Sequence, residues 1–201
     1  MNRPRIEPLQ PPYAQQVQAC FDQIMPKGMP PLNIFTTVAK NPRVLSRMIN
    51  GGLLDRGSIS IRQREIVILR VCGLCRAEYE WGVHVIGYGA KADLSQEHIE
   101  DTINRENYAT TFAKDELKKE VDKNGLWKID EVLIFHLVDQ LHSSHQITDS
   151  LWRELSHFFS EEQLIELVLL CGFYHAISFV VNAFNIEPEE FAPRFSFNKT
   201  P

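Results

Sequence analysis

The sequence has little cysteine and no excess of positive charge, and both shortages exclude classes of protein. Four cysteines among 201 residues are too few for the disulfide framework of a small secreted domain. Lysine and arginine number 21 against 26 aspartates and glutamates, a net charge of −5, whereas a nucleic-acid-binding protein needs a basic face to displace counterions from phosphate. An anionic membrane surface also attracts basic segments. We therefore expect no nucleic-acid partner and no membrane partner.

The sequence also lacks a secretory leader and alternating strands. Its first residues, MNRPRIEPLQPPY, contain no apolar segment of the signal-peptide kind, so we expect a cytoplasmic protein. The stretch 167–184 carries no formal charge and is just long enough to span a membrane. It contains His175, Ser178 and Asn182, and no basic cluster flanks it. This pattern favours a helix buried in a protein core over a membrane span.

Apolar residues recur at helical spacing along most of the chain, which predicts an all-α protein, a helical bundle. Ser60 with Gln63 and Ser160 with Gln163 form capping boxes that open two apolar helices. Gly73 is expected to bend or end the first of these. Further helices are predicted over 14–25, 42–50, 77–90, 95–103 and 129–141, with a short one after Thr148 or Asp149.

The length fits one domain. We predict a single all-helical domain over 1–186, with a core motif at 42–104 and a charge-dense insertion at 105–126. A proline-bearing tail at 187–201 is expected to strap onto a neighbouring subunit or to fray. Four residue types, at Ile66, Cys72, Gly73 and Ala77, recur 99 residues later, which favours two similar helical halves.

The densest polar cluster in an apolar context is the segment 64–84, REIVILRVCGLCRAEYEWGVH. Glu80 and His84 are four residues apart and share one helix face. A carboxylate beside an imidazole that titrates near neutrality can relay protons. Glu65 joins this pair if a bend near Gly73 folds the two helices together. The alternative is an exposed ion pair that contributes only a few tenths of a kcal/mol.

Cys72 and Cys75 form a CxxC motif. Three interpretations of this motif are open: a redox dithiol, half of a zinc site, or two small core residues. No second CxxC accompanies it, which disfavours zinc. His136, His142 and His145 have spacings that do not place them on one helix face, so no metal site is predicted there. In the apolar helix, the lone histidine at 175 is expected to be a hydrogen-bonded core residue.

Three aromatic side chains near the polar cluster are candidates to line a substrate pocket: Tyr79, Trp81 and Tyr88. The alternative is ordinary packing in the core or in a subunit interface. Three glycines in the same predicted helix would admit a close partner helix or a ligand.

At this cluster the sequence resembles the carboxymuconolactone decarboxylase superfamily, which includes the alkylhydroperoxidase D-like proteins. The resemblance is strongest over 42–104 and looser over 127–186. Its carriers are Arg64-Glu65, Tyr79-Glu80-Trp81 followed by His84, and Leu94-Ser95. It implies an all-α fold, a homotrimer or homohexamer, a small-molecule pocket near a subunit interface, and no metal or organic cofactor.

The two branches of that family differ at one position. In the redox branch, a glutamate is followed by eleven residues, a cysteine, two residues, a second cysteine, three residues and a histidine. Counting from Glu65 puts Ala77 and Glu80 at the thiol positions and His84 at the histidine. The cysteines of the present CxxC lie five residues upstream. A glutamate at position 80 resembles the lactone-decarboxylase branch, where a carboxylate and a histidine do acid–base work.

Three hypotheses follow. The preferred one is a cofactor-free acid–base enzyme, a decarboxylase-like lyase that acts on a small carboxylated or lactone substrate through Glu65, Glu80 and His84. The second is a thiol peroxidase or disulfide reductase with an antioxidant role, using Cys72 and Cys75. The third is a non-catalytic oligomer that binds a small molecule.

Overall fold

The structure, a computed structural model, describes residues 3–53, 55–107, 117, 121 and 125–196. These described residues contain helices and no strand, which confirms the predicted all-α class. In chain order the helices are α1 (Gln15–Ile24), α2 (Asn33–Val38), α3 (Pro42–Asn50), α4 (Ile61–Leu74), α5 (Glu78–Tyr88), α6 (Gln96–Asn104), α7 (Ile129–Ser144), α8 (Asp149–Phe158) and α9 (Glu161–Phe184).

The predicted helix starts agree with the structure. Ser60 and Ser160 each accept a hydrogen bond from the backbone N–H three residues on, and the Gln at that position bonds back to the cap, so both capping boxes are formed. Asn41, Ser95 and Thr148 each accept a hydrogen bond from the backbone N–H three residues on and so cap α3, α6 and α8. Short polar side chains at these points supply acceptors to otherwise unpaired backbone N–H groups.

Helix α4 lies at the centre of the fold and packs against α5, α6, α7 and α9. Every residue from Arg64 to Gly73 is buried. A helix that is enclosed on all sides needs no polar face, which is why the segment reads as an almost continuous apolar run. The three charged residues that it buries, Arg64, Glu65 and Arg70, must therefore find partners.

Arg70 finds its partner on α7. Its Nε and Nη2 donate to the two carboxylate oxygens of Asp139 at 2.7 and 2.8 Å, and both side chains are fully enclosed. The same guanidinium donates to the backbone carbonyl of Thr102 in the last turn of α6 and to those of Arg105 and Glu106 just after it. One buried side chain thus joins three helices and satisfies the carbonyls left unpaired at a helix end.

The end of α4 lies one residue beyond Gly73, close to the position that the sequence suggested. The helix continues to Leu74, and Gly73 lies where an added Cβ would come within 3.1 Å of the Thr102 and Ile103 region of α6. The glycine therefore permits close packing of α4 on α6. The chain reverses at Arg76, whose φ of 55° is in the left-handed region.

Helix α2 was not predicted, because its start carries no side-chain cap of its own. Distant residues supply its acceptors instead. The backbone N–H of Asn33 donates to Glu189 Oε1 at 2.6 Å, and that of Ile34 donates to the Tyr79 hydroxyl at 3.0 Å. A helix stabilised by tertiary contacts leaves no local sequence signal.

The tail packs on its own chain over the described residues, up to 196, while its contact with a neighbouring subunit stays a prediction. The backbone N–H of Phe195 donates to Glu78 at 2.9 Å, and its ring meets the edge of Trp81 at 5.2 Å. Gly82 lets the tail approach α5, since a Cβ there would lie 2.5 Å from the Pro193 carbonyl oxygen. Most of the predicted charged insertion at 105–126 lies outside the described residues.

Helix α9 is long and apolar enough to cross a membrane by length and composition. The core helix of a soluble protein has the same length and composition, and α9 packs on α4, α5 and α8. One side of it is buried, and the opposite side exposes a stripe of apolar residues: Ile165, Val168, Leu169 and Phe179.

Candidate functional site

The structure brings the three predicted relay residues together. Glu65 Oε2 accepts a hydrogen bond from His84 Nδ1 at 2.7 Å. On the other side of the ring, His84 Nε2 lies 2.9 Å from the Tyr174 hydroxyl and 3.4 Å from Glu80 Oε1. All four side chains are buried. The alternative of an exposed helical ion pair is therefore wrong.

The turn at Arg76 creates this arrangement. Glu65 lies near the start of α4 and His84 lies on α5, and the reversal between the helices places the two side chains in contact across 19 residues of sequence. The Nε of Arg64 donates to Glu65 Oε1 at 2.9 Å. Glu65 therefore has one oxygen bonded to a guanidinium and the other bonded to an imidazole, which fixes its orientation.

The two carboxylates decide the protonation of His84. Burial by itself would lower the pKa of His84, but the neighbouring Glu65, followed by Glu80, more than offsets this and raises the pKa to about 9. The imidazole is therefore a cation at neutral pH, with Nδ1–H directed to Glu65. Its Nε2–H is shared between Tyr174 and Glu80, and this is the proton that can be donated.

Two tyrosines enclose the imidazole. The ring of Tyr88 stacks on His84 at 5.2 Å and holds the Arg64 guanidinium 4.9 Å from its centre. The ring of Tyr174 meets His84 edge-on at 5.1 Å. Burial raises the pKa of the Tyr174 hydroxyl well above its ordinary value and raises that of Tyr88 as well. Both hydroxyls therefore keep their protons at neutral pH.

A pocket of about 400 Å³ opens onto this relay. Glu80, His84 and Tyr88 form its polar wall, and the exposed Lys91 is the only other charged group among the described residues that line it. Glu80 Oε2 is buried and has no hydrogen-bond partner in the described part of the chain. The remaining wall is mainly apolar, from α1, α2, α5 and the tail: Ile24, Met25, Pro26, Met29, Leu32, Ile34, Phe35, Val83, Ile86, Gly87 and Phe191.

Of the three aromatic residues predicted to line a pocket, Tyr88 does so. Tyr79 is buried away from it, and its hydroxyl donates to Glu189 at 2.9 Å. Trp81 is also buried, with its Nε1–H bonded to the Thr102 hydroxyl at 3.1 Å. These two side chains hold α2, the tail and α6 against α5. They are therefore ordinary packing residues of the core, the alternative to lining a pocket.

Solved structures share this arrangement of helices. An uncharacterized peroxidase-related protein from Silicibacter sp. TM1040 superposes with a TM-score of 0.69 at 16% identity, over 94% of this chain and 96% of that chain. The alkylhydroperoxidase AhpD core protein from Ralstonia eutropha JMP134, also called an uncharacterized peroxidase-related protein, gives 0.65 at 13% identity, over 88% and 87%. The chain has the alkylhydroperoxidase D-like fold.

A cysteine-to-alanine variant of the debrominase Bmp8, in complex with 2,3,4-tribromopyrrole, superposes with a TM-score of 0.68 at 15% identity, over 95% of this chain and 94% of that chain. No protein-family model matches the chain, and no curated protein matches it. The likeness in fold agrees with the resemblance seen at residues 64–84.

The two cysteines of the CxxC motif lie apart from the pocket that Glu80 and His84 line. Neither lines the pocket among the described residues. Cys72 is fully buried, and burial raises the pKa of its thiol well above the usual value. Burial also raises the pKa of Cys75. Peroxide chemistry requires a thiolate, so this environment disfavours it.

Residues that the sequence did not indicate complete the site. Tyr174 lies 90 residues from His84 and was hidden in the apolar run of α9. Lys91 follows the α5 helix and gave no sign of facing a pocket. The pairing of Tyr174 and His84 depends on how α9 packs on α5, and no local pattern records that packing.

Proposed function

We propose that this protein is a cofactor-free acid–base enzyme that transfers protons at a carbon next to a carbonyl group. The observation that carries the proposal is the Glu65–His84–Glu80 chain, in which Glu80 and His84 face the pocket while the enclosed Glu65 lies behind them. This is the reaction class that we preferred from the sequence, and decarboxylation of a small carboxylated or lactone substrate is its specific form.

The three relay residues have different roles in the proposal. His84 is the general acid, since its imidazolium offers the Nε2 proton to the pocket. Glu80 is the base where a substrate proton must be removed, because its Oε2 is buried without a partner among the described residues, and in decarboxylation its carboxylate helps to keep His84 protonated. Glu65 orients the histidine ring and stabilises its cationic form.

The pocket suggests the substrate class. Its volume, about 400 Å³, suits a small molecule of one or two rings, and most of its wall is apolar. Lys91 lines it and is exposed, with its Nζ 5.3 Å from the centre of the Tyr88 ring. A cation at this position can pair with a substrate carboxylate. We therefore propose small carboxylated lactones and β-keto acids as substrates.

The decarboxylation step conserves atoms and electrons. The bond between the carboxylate carbon and the neighbouring carbon breaks, and carbon dioxide leaves. The bonding electrons move onto the adjacent carbonyl group to form an enolate. His84 then transfers its Nε2 proton to the enolate carbon, and the imidazole takes a proton back from water. No oxidant and no reductant is consumed.

The second candidate function, a thiol peroxidase, rests on the CxxC motif and on a fold shared with proteins called peroxidase-related. Its weakness is the buried, protonated state of Cys72. A non-catalytic binding role is the third candidate, and the structure of Bmp8 with tribromopyrrole shows that this fold can hold a small ring.

We also propose that the protein forms a homo-oligomer through α9. The exposed apolar residues of this helix recur at helical spacing, and Ile165, Leu169 and Phe179 are each about 60% exposed. Such a stripe is typical of a helix-to-helix interface. Trp152 and Phe158 on the neighbouring α8 are exposed as well. Sedimentation velocity of the wild type and of a Leu169→Glu variant tests this, and a monomeric wild type would contradict it.

Incorporation of solvent deuterium tests the proposed chemistry directly. Candidate carboxylated lactones and β-keto acids are incubated with the protein in heavy water, and the product carbon is followed by NMR. Glu80→Gln and His84→Gln are each expected to lower the rate by about 10²–10⁴-fold. The control Glu97→Gln, an exposed glutamate on α6, should leave the rate unchanged.

Two cysteine variants separate the candidate functions. Cys72→Ser and Cys75→Ser should keep full turnover if the relay does the chemistry. Loss of turnover in these variants, with the helical content intact, would contradict the acid–base proposal and favour the peroxidase. Turnover that survives in both relay variants would contradict it as well.

A further inference from the structure

A second cluster of reactive side chains lies outside the pocket, where the C-terminal ends of α4 and α7 meet the middle of α9. It consists of Cys75 at the C-terminus of α4, His142 in the last turn of α7 and His175 in the middle of α9. One donor atom from each lies within 4.8 Å of the other two. All three side chains are partly exposed, so an ion can reach them.

The geometry points to a zinc site, and we propose that Cys75, His142 and His175 bind one Zn²⁺ ion. His142 Nδ1 lies 2.9 Å from His175 Nε2 and 3.9 Å from Cys75 Sγ. In a tetrahedral zinc site the corresponding spacings are ~3.3 Å between two nitrogens and ~3.5 Å between sulfur and nitrogen. The two distances from His142 Nδ1 each differ from these spacings by about 0.4 Å, and the donor atoms of Cys75 and His175 lie within 4.8 Å of each other, so side-chain adjustments bring the three donors onto one ion.

The cluster already has the surroundings of a metal site. His175 Nδ1–H donates to the carbonyl of Cys171 at 2.8 Å, so Nε2 carries the lone pair, which accepts from His142 Nδ1–H without the metal and binds the metal once that hydrogen has moved. The carbonyl of Cys75 accepts a hydrogen bond from Asn182 Nδ2 at 2.8 Å, which fixes the turn that carries the thiol. The backbone positions of the donors therefore need not move when the ion enters.

The donor set selects the ion. One thiolate and two imidazoles suit Zn²⁺, whereas Mg²⁺ and Ca²⁺ require oxygen ligands. Binding displaces the proton of the Cys75 thiol, and the hydrogen on His142 Nδ1 moves to its Nε2 so that Nδ1 can bind the metal. Three protein ligands leave a fourth position for water, which agrees with the partial exposure of the cluster.

The sequence gave no indication of this set. His136, His142 and His145 lie close together in the chain, but only His142 contributes to the cluster, and its partners come from other helices. The proposed site is also separate from the relay. Tyr174 contacts His84, whereas the next residue, His175, points to the zinc cluster from another side of α9.

Titration of the chelator-treated, full-length protein with Zn²⁺ alone tests the proposal. We expect one ion per chain by calorimetry. Cys75→Ser and His175→Gln should each lower the affinity for zinc by more than about 100-fold. Loss of a residue that only supports a ligand typically lowers metal affinity by about 10- to 100-fold. The matched controls Cys20→Ser and His145→Gln should bind zinc as the wild type does.

A measurement on the wild type guards against variants that fail to fold. With Co²⁺ in place of zinc, a thiolate-to-metal charge-transfer band is expected in the near ultraviolet. One thiol, identified as Cys75 by mass spectrometry, should become protected from alkylation when Zn²⁺ is added. Absence of the band and of this protection, or stoichiometric binding that survives Cys75→Ser, would overturn the proposal.

Discussion

Glu65 and His84 form a fully enclosed hydrogen bond of 2.7 Å between Oε2 and Nδ1, although 19 residues separate them in the chain. This contact joins the central helix α4 to α5 and determines the charge of the imidazole. A buried carboxylate beside a buried imidazole is stable only when the imidazole is protonated or donates its Nδ1–H. The stability of the protein and its proposed chemistry therefore depend on the same pair.

The first prediction concerns the pH dependence of stability. The pKa of His84 is raised from 6.5 to about 9 in the folded state. The contribution of protonated His84 to the free energy of unfolding is fully present below about pH 6.5. It is lost as the pH rises through about 9, a difference of about 3 kcal/mol. Urea unfolding between pH 6 and pH 10 should show the free energy of unfolding falling over this range.

Two variants serve as the comparison for this pH prediction. His84→Gln should remove most of the pH-dependent fall, because no group with a raised pKa remains at that position. His157→Gln, at an exposed histidine on α8, should show the wild-type curve. A wild-type stability that stays level from pH 6.5 to pH 9 would contradict the prediction.

The second prediction concerns the thiols. Burial raises the pKa of Cys72 well above its usual value, raises that of Cys171 to about 12 and raises that of Cys75. The reactive thiolate form is therefore scarce at neutral pH. After reduction, removal of metal and addition of one equivalent of an organic hydroperoxide, all four thiols should remain. Loss of two thiols within seconds, joined as Cys72–Cys75, would instead indicate a peroxidase.

The third prediction concerns the ion pair between Arg70 and Asp139. Both side chains are enclosed, so Asp139→Asn leaves a guanidinium charge in the core without its counter-charge. We expect a loss of about 3–5 kcal/mol in the free energy of unfolding. The pair between Arg194 and Glu78 is exposed, so Arg194→Gln should cost less than about 1 kcal/mol. Equal losses in the two variants by urea unfolding would count against this account.

The fourth prediction concerns the close approach of the tail to α5. A Cβ at position 82 would lie 2.5 Å from the Pro193 carbonyl oxygen, so Gly82→Ala should push the tail away from the helix. Amide exchange at Phe195, whose N–H donates to Glu78, should become faster. Gly87→Ala is the control, since nothing lies within 4 Å of its Cβ position. Unchanged exchange in Gly82→Ala would show that the tail does not depend on this contact.

The sequence by itself determined the all-helical class and the starts of the helices other than α2. The capping boxes at Ser60 and Ser160 and the caps at Asn41, Ser95 and Thr148 are local, because a side chain bonds to a backbone group only three residues away. The four-residue spacing of Glu80 and His84 is local too, so one side of the relay could be read from the chain.

Only the tertiary structure decided where the helices turn and what meets across them. The reversal occurs at Arg76 and not at Gly73, and it brings Glu65 to His84. Tyr174 reaches the same imidazole from α9, and Cys75, His142 and His175 converge from three helices. These contacts depend on which helix faces are buried against each other, and burial is a property of the whole packed chain that short spacings do not encode.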